Sequence, residues 1–276
     1  MKTALLYCII LFAVCIASAK EKVPLILTQL DTPAGVVTIP AGWFQMGSSS
    51  KENKGGYTTE QPLHRVFLST YQIDRYEVSN IQYSQFIKKT HRMPPVYWKE
   101  SIFPTEIANH PVAGVSWFDA NDFCHSDGKR LPTEAEWEKA ARGESEINYP
   151  WGNQSASPAL ANFGKQLRNS NLPIEMILDK FYPPLVNVNE FPEGKSPYGV
   201  YQMGGNVMEW VADWWNPEYY LQSPDHNPSG PLKGEHKVIR GGSWNDDPLA
   251  LRTATRTGIE PHTKTFTIGF RCSNSN

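Results

Sequence analysis

Residues 128–143 read Gly128-Lys129-Arg130-Leu131-Pro132-Thr133-Glu134-Ala135-Glu136-Trp137-Glu138-Lys139-Ala140-Ala141-Arg142-Gly143. Thr133 stands where a helix N-cap accepts hydrogen bonds, and Glu136 follows three residues later as its capping-box partner. Ala135, Trp137, Ala140 and Ala141 continue a short helix that Gly143 stops. Beyond Gly143 no segment keeps a helical period. From Trp151 to Asn276 the chain is rich in Gly, Pro, Asn and Trp, with short strands such as Val238 to Arg240 and Gly269 to Cys272. This stretch therefore separates a helix-bearing first half from a second half of loops and short strands.

Upstream, Val36 to Met46 reads as strand, turn at Pro40-Ala41-Gly42, strand, and Ser48 to Thr59 as a polar loop. Val66, Leu68, Tyr71 and Ile73 point to one half-buried strand over Arg65 to Asp74. Ser79 caps a helix whose apolar positions Ile81, Tyr83, Phe86 and Ile87 run towards His91. A second helix is expected from Ser116 to Ser126, with Trp117, Ala120, Phe123 and Cys124 on its apolar face. No repeat and no linker divides the chain. The expectation is a single irregular α+β domain over residues 36–273, low in regular secondary structure, after an extended lead-in at 20–35.

Composition narrows the function. With 26 Lys plus Arg against 28 Asp plus Glu, the net charge of −2 gives no basic excess for a general nucleic-acid binder. At 40% hydrophobic and 20% charged residues the chain is not intrinsically disordered. Met1 and Lys2, the apolar run Leu5 to Ile16, and then Ala17, Ser18 and Ala19 read as a cleaved signal peptide at 1–19. No other segment has the length of apolar residues that a transmembrane helix requires. The expected product is exported, periplasmic or secreted. Lipoprotein anchoring through Cys15 stays open, although Val14 is bulky for such a site. Cleavage leaves Cys124 and Cys272, which an oxidising compartment is expected to pair, the alternative being two separate buried thiols.

The seven histidines, at 64, 91, 110, 125, 226, 236 and 262, show no metal-binding spacing. No nucleophile elbow, P-loop or dinucleotide fingerprint is present. Oxygen-rich loops are better candidates. Gln202, Gly205, Val207 and Glu209 lie in a turn-like stretch between Tyr198 and Trp210 whose carbonyls and carboxylate suit Ca²⁺, and Asn162 with Asp179 offers a second set. Ordinary turn chemistry is the alternative for both. A third cluster, Arg240-Gly241-Gly242-Ser243-Trp244-Asn245-Asp246-Asp247 with Arg252 and Arg256, reads either as a polar cleft floor or as a solvated turn with structural salt bridges.

Together these stretches resemble the formylglycine-generating enzyme (sulfatase-modifying factor) family. The resemblance rests on Ile39 to Gly47, Tyr71 to Asn80, His110-Pro111-Val112, Val115-Ser116-Trp117, Gly128 to Glu138 and Ala141-Arg142-Gly143. It continues through Pro150-Trp151-Gly152, Gly205-Asn206, Glu209-Trp210, Asp213-Trp214-Trp215, Arg240 to Trp244 and Gly269-Phe270-Arg271, so it spans about residues 36–273. It implies the family fold, distantly similar to C-type lectins. It also implies structural calcium at Gln202, Gly205, Val207 and Glu209, and at Asn162, Phe163, Asp179 and Phe181. Cys124 and Cys272 match a disulfide of the family's vertebrate members.

One departure bears on activity. The family enzyme holds copper(I) through two cysteines shortly after the Gly-Gly-Ser motif, and the matching positions here are Asp246 and Leu251. Soft Cu(I) prefers thiolates, which neither residue supplies. Met208 also stands where that enzyme has a substrate-facing tryptophan. The resemblance therefore implies calcium, no copper, and a cleft at Ser243, Trp244, Asp246, Asp247 and Arg252 for a peptide, glycan or small-molecule ligand. Periplasmic oxidative maturation of the kind required for the pyoverdine chromophore is the alternative. An active formylglycine-type oxidase is disfavoured, and an iron sulfoxide synthase would need a His-x-x-x-His-x-Glu helix that the sequence lacks.

Overall fold

Among the described residues, three short α-helices begin where the sequence places helix starts, at Ser79, Ser116 and Thr133; a capping box is expected only at Thr133, and all three have one. The computed structural model describes residues 33–49, 58–95, 97–98, 103–165 and 183–275. All of them belong to one compact unit, Thr32–Asn276. Helix α1 is Asn80–Thr90, with Ser79 and Gln82 capping each other's backbone, and α2 is Trp117–Ser126, with Ser116 and Asp119 in the same roles. Helix α3 is Glu134–Arg142, opened by Thr133 with Glu136 and closed at Gly143, whose φ of 73° is open to glycine at little cost. Beyond it the described helices are single 3₁₀ turns, Pro192–Gly194, Tyr219–Leu221 and Pro248–Leu251. The expected signal peptide, Cys15 and most of the expected lead-in lie outside the described residues. No helix among the described residues is long and apolar enough to cross a membrane.

Among the described residues, nine short strands make three small sheets. Strands β1 (Val36–Ile39), β4 (Tyr71–Asp74) and β9 (Ser273–Ser275) lie in the order β1-β4-β9, and β2 (Gly42–Met46) pairs with β3 (His64–Leu68). The third sheet runs β7-β6-β5-β8, from Arg256–Ile259, Lys237–Arg240, Met208–Trp214 and Ile268–Phe270, with only β5 and β8 parallel. The result is a mixed α/β domain with few helices, as expected.

Three expectations need correction. Arg65 to Asp74 is two strands in two sheets, not one. Its buried apolar residues change parity between Leu68 and Tyr71, and a strand of period two cannot keep both pairs on one face. The break is held by Ser69 N–H donating to Asn227 Oδ1 and by Thr70 Oγ1 accepting from Ala41 N–H. Secondly, the turn-like stretch ends at Val207, and Glu209 lies inside β5, a strand buried on both faces that shows no alternation. Thirdly, the strand expected over Gly269 to Cys272 stops at Phe270. Arg271 leaves the sheet to reach Glu209, and Cys272 accepts from Asp74 N–H at 2.8 Å.

Cys124 and Cys272 form a disulfide that joins the end of α2 to the start of β9, so the alternative of two separate thiols falls. The hydrophobic core gathers Ile39, Phe44, Tyr71, Trp137, Met203 and Val238, among others, around α3. All nine residues of α3 are buried, charged ones included. Glu134 takes Arg256 Nε at 2.6 Å and Arg240 at 3.3 Å. Glu138 takes Arg240 at 2.5 Å, Arg142 at 2.8 Å and Gly47 N–H at 2.7 Å. Buried ion pairs add little net stability over an apolar packing, but removing one partner strands a charge.

Glu138→Gln is therefore expected to destabilise the fold by about 3–5 kcal/mol in urea unfolding, whereas Glu144→Gln on the exposed surface stays within about 0.5 kcal/mol of wild type. Asp213 accepts Glu134 N–H at 2.8 Å in the same region, and burial, followed by the Glu134 charge, pushes its carboxyl up to about 8. The folded state then keeps a proton that the unfolded chain releases near 3.8, so stability is lost as pH rises through that window. Asp213→Asn keeps the accepting oxygen and cannot titrate. Its stability difference between pH 5 and pH 8 should be smaller than that of wild type, by on the order of a few kcal/mol.

Candidate functional site

Two neighbouring loops carry the candidate residues, 200–207 before β5 and 241–252 after β6. The first approaches Asn162 so closely that a Cβ on Gly205, at φ +93°, would lie 2.6 Å from Asn162 O. Only glycine permits that contact. Asn206 follows at φ +62° and ties the region together. Its N–H donates to Asn162 O at 2.8 Å, its Nδ2 to Glu77 Oε2 at 2.8 Å, and its Oδ1 accepts from Asn162 Nδ2 and Val186 N–H, both at 3.1 Å.

Glu209 is fully engaged by protein donors on one side. Oε2 accepts from Trp137 Nε1 at 2.9 Å and Arg271 Nε at 2.7 Å, and Oε1 accepts from Arg271 Nη2 at 2.6 Å. One lone pair of Oε1 remains. Glu77, which the sequence reading left without a role, belongs to the same cluster, with Oε1 accepting from Val207 N–H at 3.4 Å. Burial, and then the Glu209 charge, push its carboxyl well above the usual carboxylate range. Two buried carboxyl groups thus share one guanidinium, and an additional cation there would favour ionisation of both. Gln202, at φ +55°, donates Nε2 weakly to Asn187 O and Glu190 O at 3.3 and 3.5 Å, leaving its amide oxygen for a hard ion. The loop carbonyls of Gly205 and Val207 with Glu209 fit calcium on donor chemistry. Asn162 spends its amide nitrogen on Pro184 O and Asn206, Phe163 is half-buried beside it, and Asp179 and Phe181 lie outside the described residues. Among the described residues no cluster of three His, Cys, Asp or Glu could hold a metal by side chains alone.

The second loop is more tightly built than a cleft floor of free side chains. Asp246 Oδ2 accepts from Ser243 Oγ at 2.6 Å and Ser243 N–H at 2.9 Å. Trp244 is buried, donating its N–H to Asn206 O at 2.9 Å and Nε1 to Phe266 O at 3.0 Å, so the two loops touch. Asp247, exposed, caps the 3₁₀ turn by accepting from Leu249 N–H at 3.0 Å, and Leu251 is fully buried. Arg252 donates Nε to Leu249 O at 3.1 Å and grips Glu60 through both terminal nitrogens, at 2.9 and 2.6 Å. Structural salt bridges and turn locks therefore account for Ser243, Asp246 and Arg252, and Asp247 offers the exposed carboxylate. Tyr149 and Trp151, stacked at 5.0 Å with planes 3° apart, stand next to this loop, Trp151 against Gly204. Nothing in their local sequence marks that pairing beyond the Gly152 turn.

The model of the sulfatase-modifying factor enzyme 1-like domain matches residues 24–276. The chain belongs to this family. Sulfatase-modifying factor relatives include the formylglycine-generating enzyme of Thermomonospora curvata, 35% identical, with 87% of this chain and 93% of that protein covered. The inactive C-alpha-formylglycine-generating enzyme 2 of Bos taurus is 31% identical, with 87% of each covered. Among solved structures, PvdO from Pseudomonas aeruginosa superposes with a TM-score of 0.69 at 27% identity, covering 87% of this chain and 94% of that one. The relatives thus include one named as a formylglycine-generating enzyme and one named as inactive.

If Asp246 acts as a turn lock, Asp246→Asn should leave thermal stability close to wild type, because one oxygen still accepts. Asp246→Ala should lose about 1 kcal/mol in urea unfolding, the scale of a lost cap.

Proposed function

We propose that the chain is an exported sulfatase-modifying factor domain, periplasmic or secreted, that binds or modifies a peptide or small-molecule ligand at the 243–252 loop without copper-dependent formylglycine synthesis. The observation that carries this reading is the pair of positions matching the family's copper cysteines. Asp246 there is hydrogen-bonded back onto Ser243, and Leu251 is a fully buried apolar side chain. Both cysteines of the described residues are spent on one disulfide, so no described thiol is left for Cu(I). That disulfide also supports an oxidising compartment, in keeping with the signal-like N-terminus.

Structural calcium at Gln202, Gly205, Val207 and Glu209 completes the proposal. The ion would add to the Glu77, Glu209 and Arg271 cluster and hold the loop that touches Trp244. A second reading, periplasmic oxidative maturation of a siderophore chromophore, is favoured by the likeness to PvdO and would use the same loop.

Elemental analysis of the purified mature protein should find calcium and no stoichiometric copper. Chelation with EGTA should lower the melting temperature by about 5–10 °C, reversibly on adding calcium. Tight Cu(I) binding together with oxidation of the cysteine in a sulfatase peptide would overturn the proposal. Turnover of a chromophore-precursor peptide, with the sulfatase peptide untouched, would select the second reading.

A further inference from the structure

The 241–246 turn is held by main-chain bonds from two other segments. Gly205 N–H donates to Gly241 O, and Trp244 N–H to Asn206 O, both at 2.9 Å. A second pair comes from residues 164–165: Gly164 N–H donates to Asp246 O at 2.8 Å and Lys165 N–H to Trp244 O at 2.9 Å. Asn206 joins the two supports, because its N–H and Oδ1 both bond Asn162, just before Gly164. Gly241 and Gly242, at φ +94° and +66°, give the turn backbone freedom of its own.

The first support is strained. Gln202 and Asn206 hold φ of +55° and +62°, which few non-glycine residues adopt. The Gln202 side chain is held by two long hydrogen bonds, at 3.3 and 3.5 Å. A backbone of this kind persists only where its surroundings over-determine it. Gly205 bears both a carbonyl that calcium would use and the N–H that holds Gly241. Asn206, between the ligand positions Gly205 and Val207, bears the carbonyl that holds Trp244.

We propose that calcium at Gln202, Gly205, Val207 and Glu209 sets the conformation of the 241–246 turn, so that ligand binding at the 243–252 loop depends on calcium. The inference rests on the calcium reading above and extends it from stability to regulation of the ligand loop. Order at 202–207 passes to the turn through Gly205 N–H and Asn206 O, and reaches its far end through the Asn162 to Lys165 segment that Asn206 grips. Such linkage is reciprocal: whatever the loop binds must tighten calcium by the same factor.

The test needs no ligand besides the metal. Hydrogen exchange of the whole mature protein is read amide by amide in calcium and in EGTA, beside a calorimetric calcium titration. The amides of Gly164, Lys165, Gly205 and Trp244 should exchange about tenfold more slowly with calcium. Those of His91 and Asn227, bonded to Ile87 O and Phe67 O in exposed segments elsewhere, should change far less. Calcium binding that leaves the first four amides unchanged, or slows His91 and Asn227 to the same extent, would overturn the linkage and spare the calcium reading. No binding in the titration would overturn both.

Discussion

The structure depends on two carboxylates placed one turn apart on α3. Glu134 and Glu138 occur at i and i+4, so they share a face, and that face turns inward to three arginines, two of them from distant parts of the chain. Arg240 comes from β6, Arg256 from β7 and Arg142 from the helix's own end. Each guanidinium also donates to backbone carbonyls of loops and turns, such as Thr253 O, Thr59 O and Gly47 O. A domain with little secondary structure must satisfy many loop carbonyls, and long planar donors do so from the interior. The network thus replaces part of the ladder bonding that a larger sheet would provide.

The tryptophans of the second half belong to the same solution. Arg256 lies over Trp215 at 4.5 Å and Tyr220 at 4.2 Å, and Lys237 sits between Trp117 at 4.0 Å and Trp214 at 3.8 Å. Rings on both sides screen these cations from water while offering them an electron-rich face. Burial lowers Lys237 to about 8, the mark of a cation held with limited compensation. The candidate site is suspended from this frame. Trp137 of α3 and Arg271 beyond β8 fix Glu209, Glu209 and Glu77 flank the loop containing Asn206, and Asn206 carries Trp244 beside Ser243.

Much of this was legible locally. The capping box at Thr133, the cap at Ser79 and the apolar spacing after Ser116 each predicted a helix start, because they depend only on neighbours in the chain, and the structure completes all three as capping boxes. The stop at Gly143, the absence of later helices and the ordered run of family motifs were also readable. Less was legible in the loops. Arg65 to Asp74 looked like one strand because the parity change between Leu68 and Tyr71 is a single residue's difference, and β5 was missed because a strand buried on both faces shows no alternation.

By itself, the sequence determined the helix boundaries, the fold family, the two cysteines available to pair, and the lack of a thiol at positions 246 and 251. Those properties reside in residue identity or in contacts within a few positions. Tertiary structure alone decided that Arg252 serves Glu60, that Arg256 and Arg240 serve Glu134, and that Glu77 joins Glu209. These pairings link residues up to 192 positions apart. Which carboxylate a buried arginine meets is set by how the loops close around the core, and no local pattern records it.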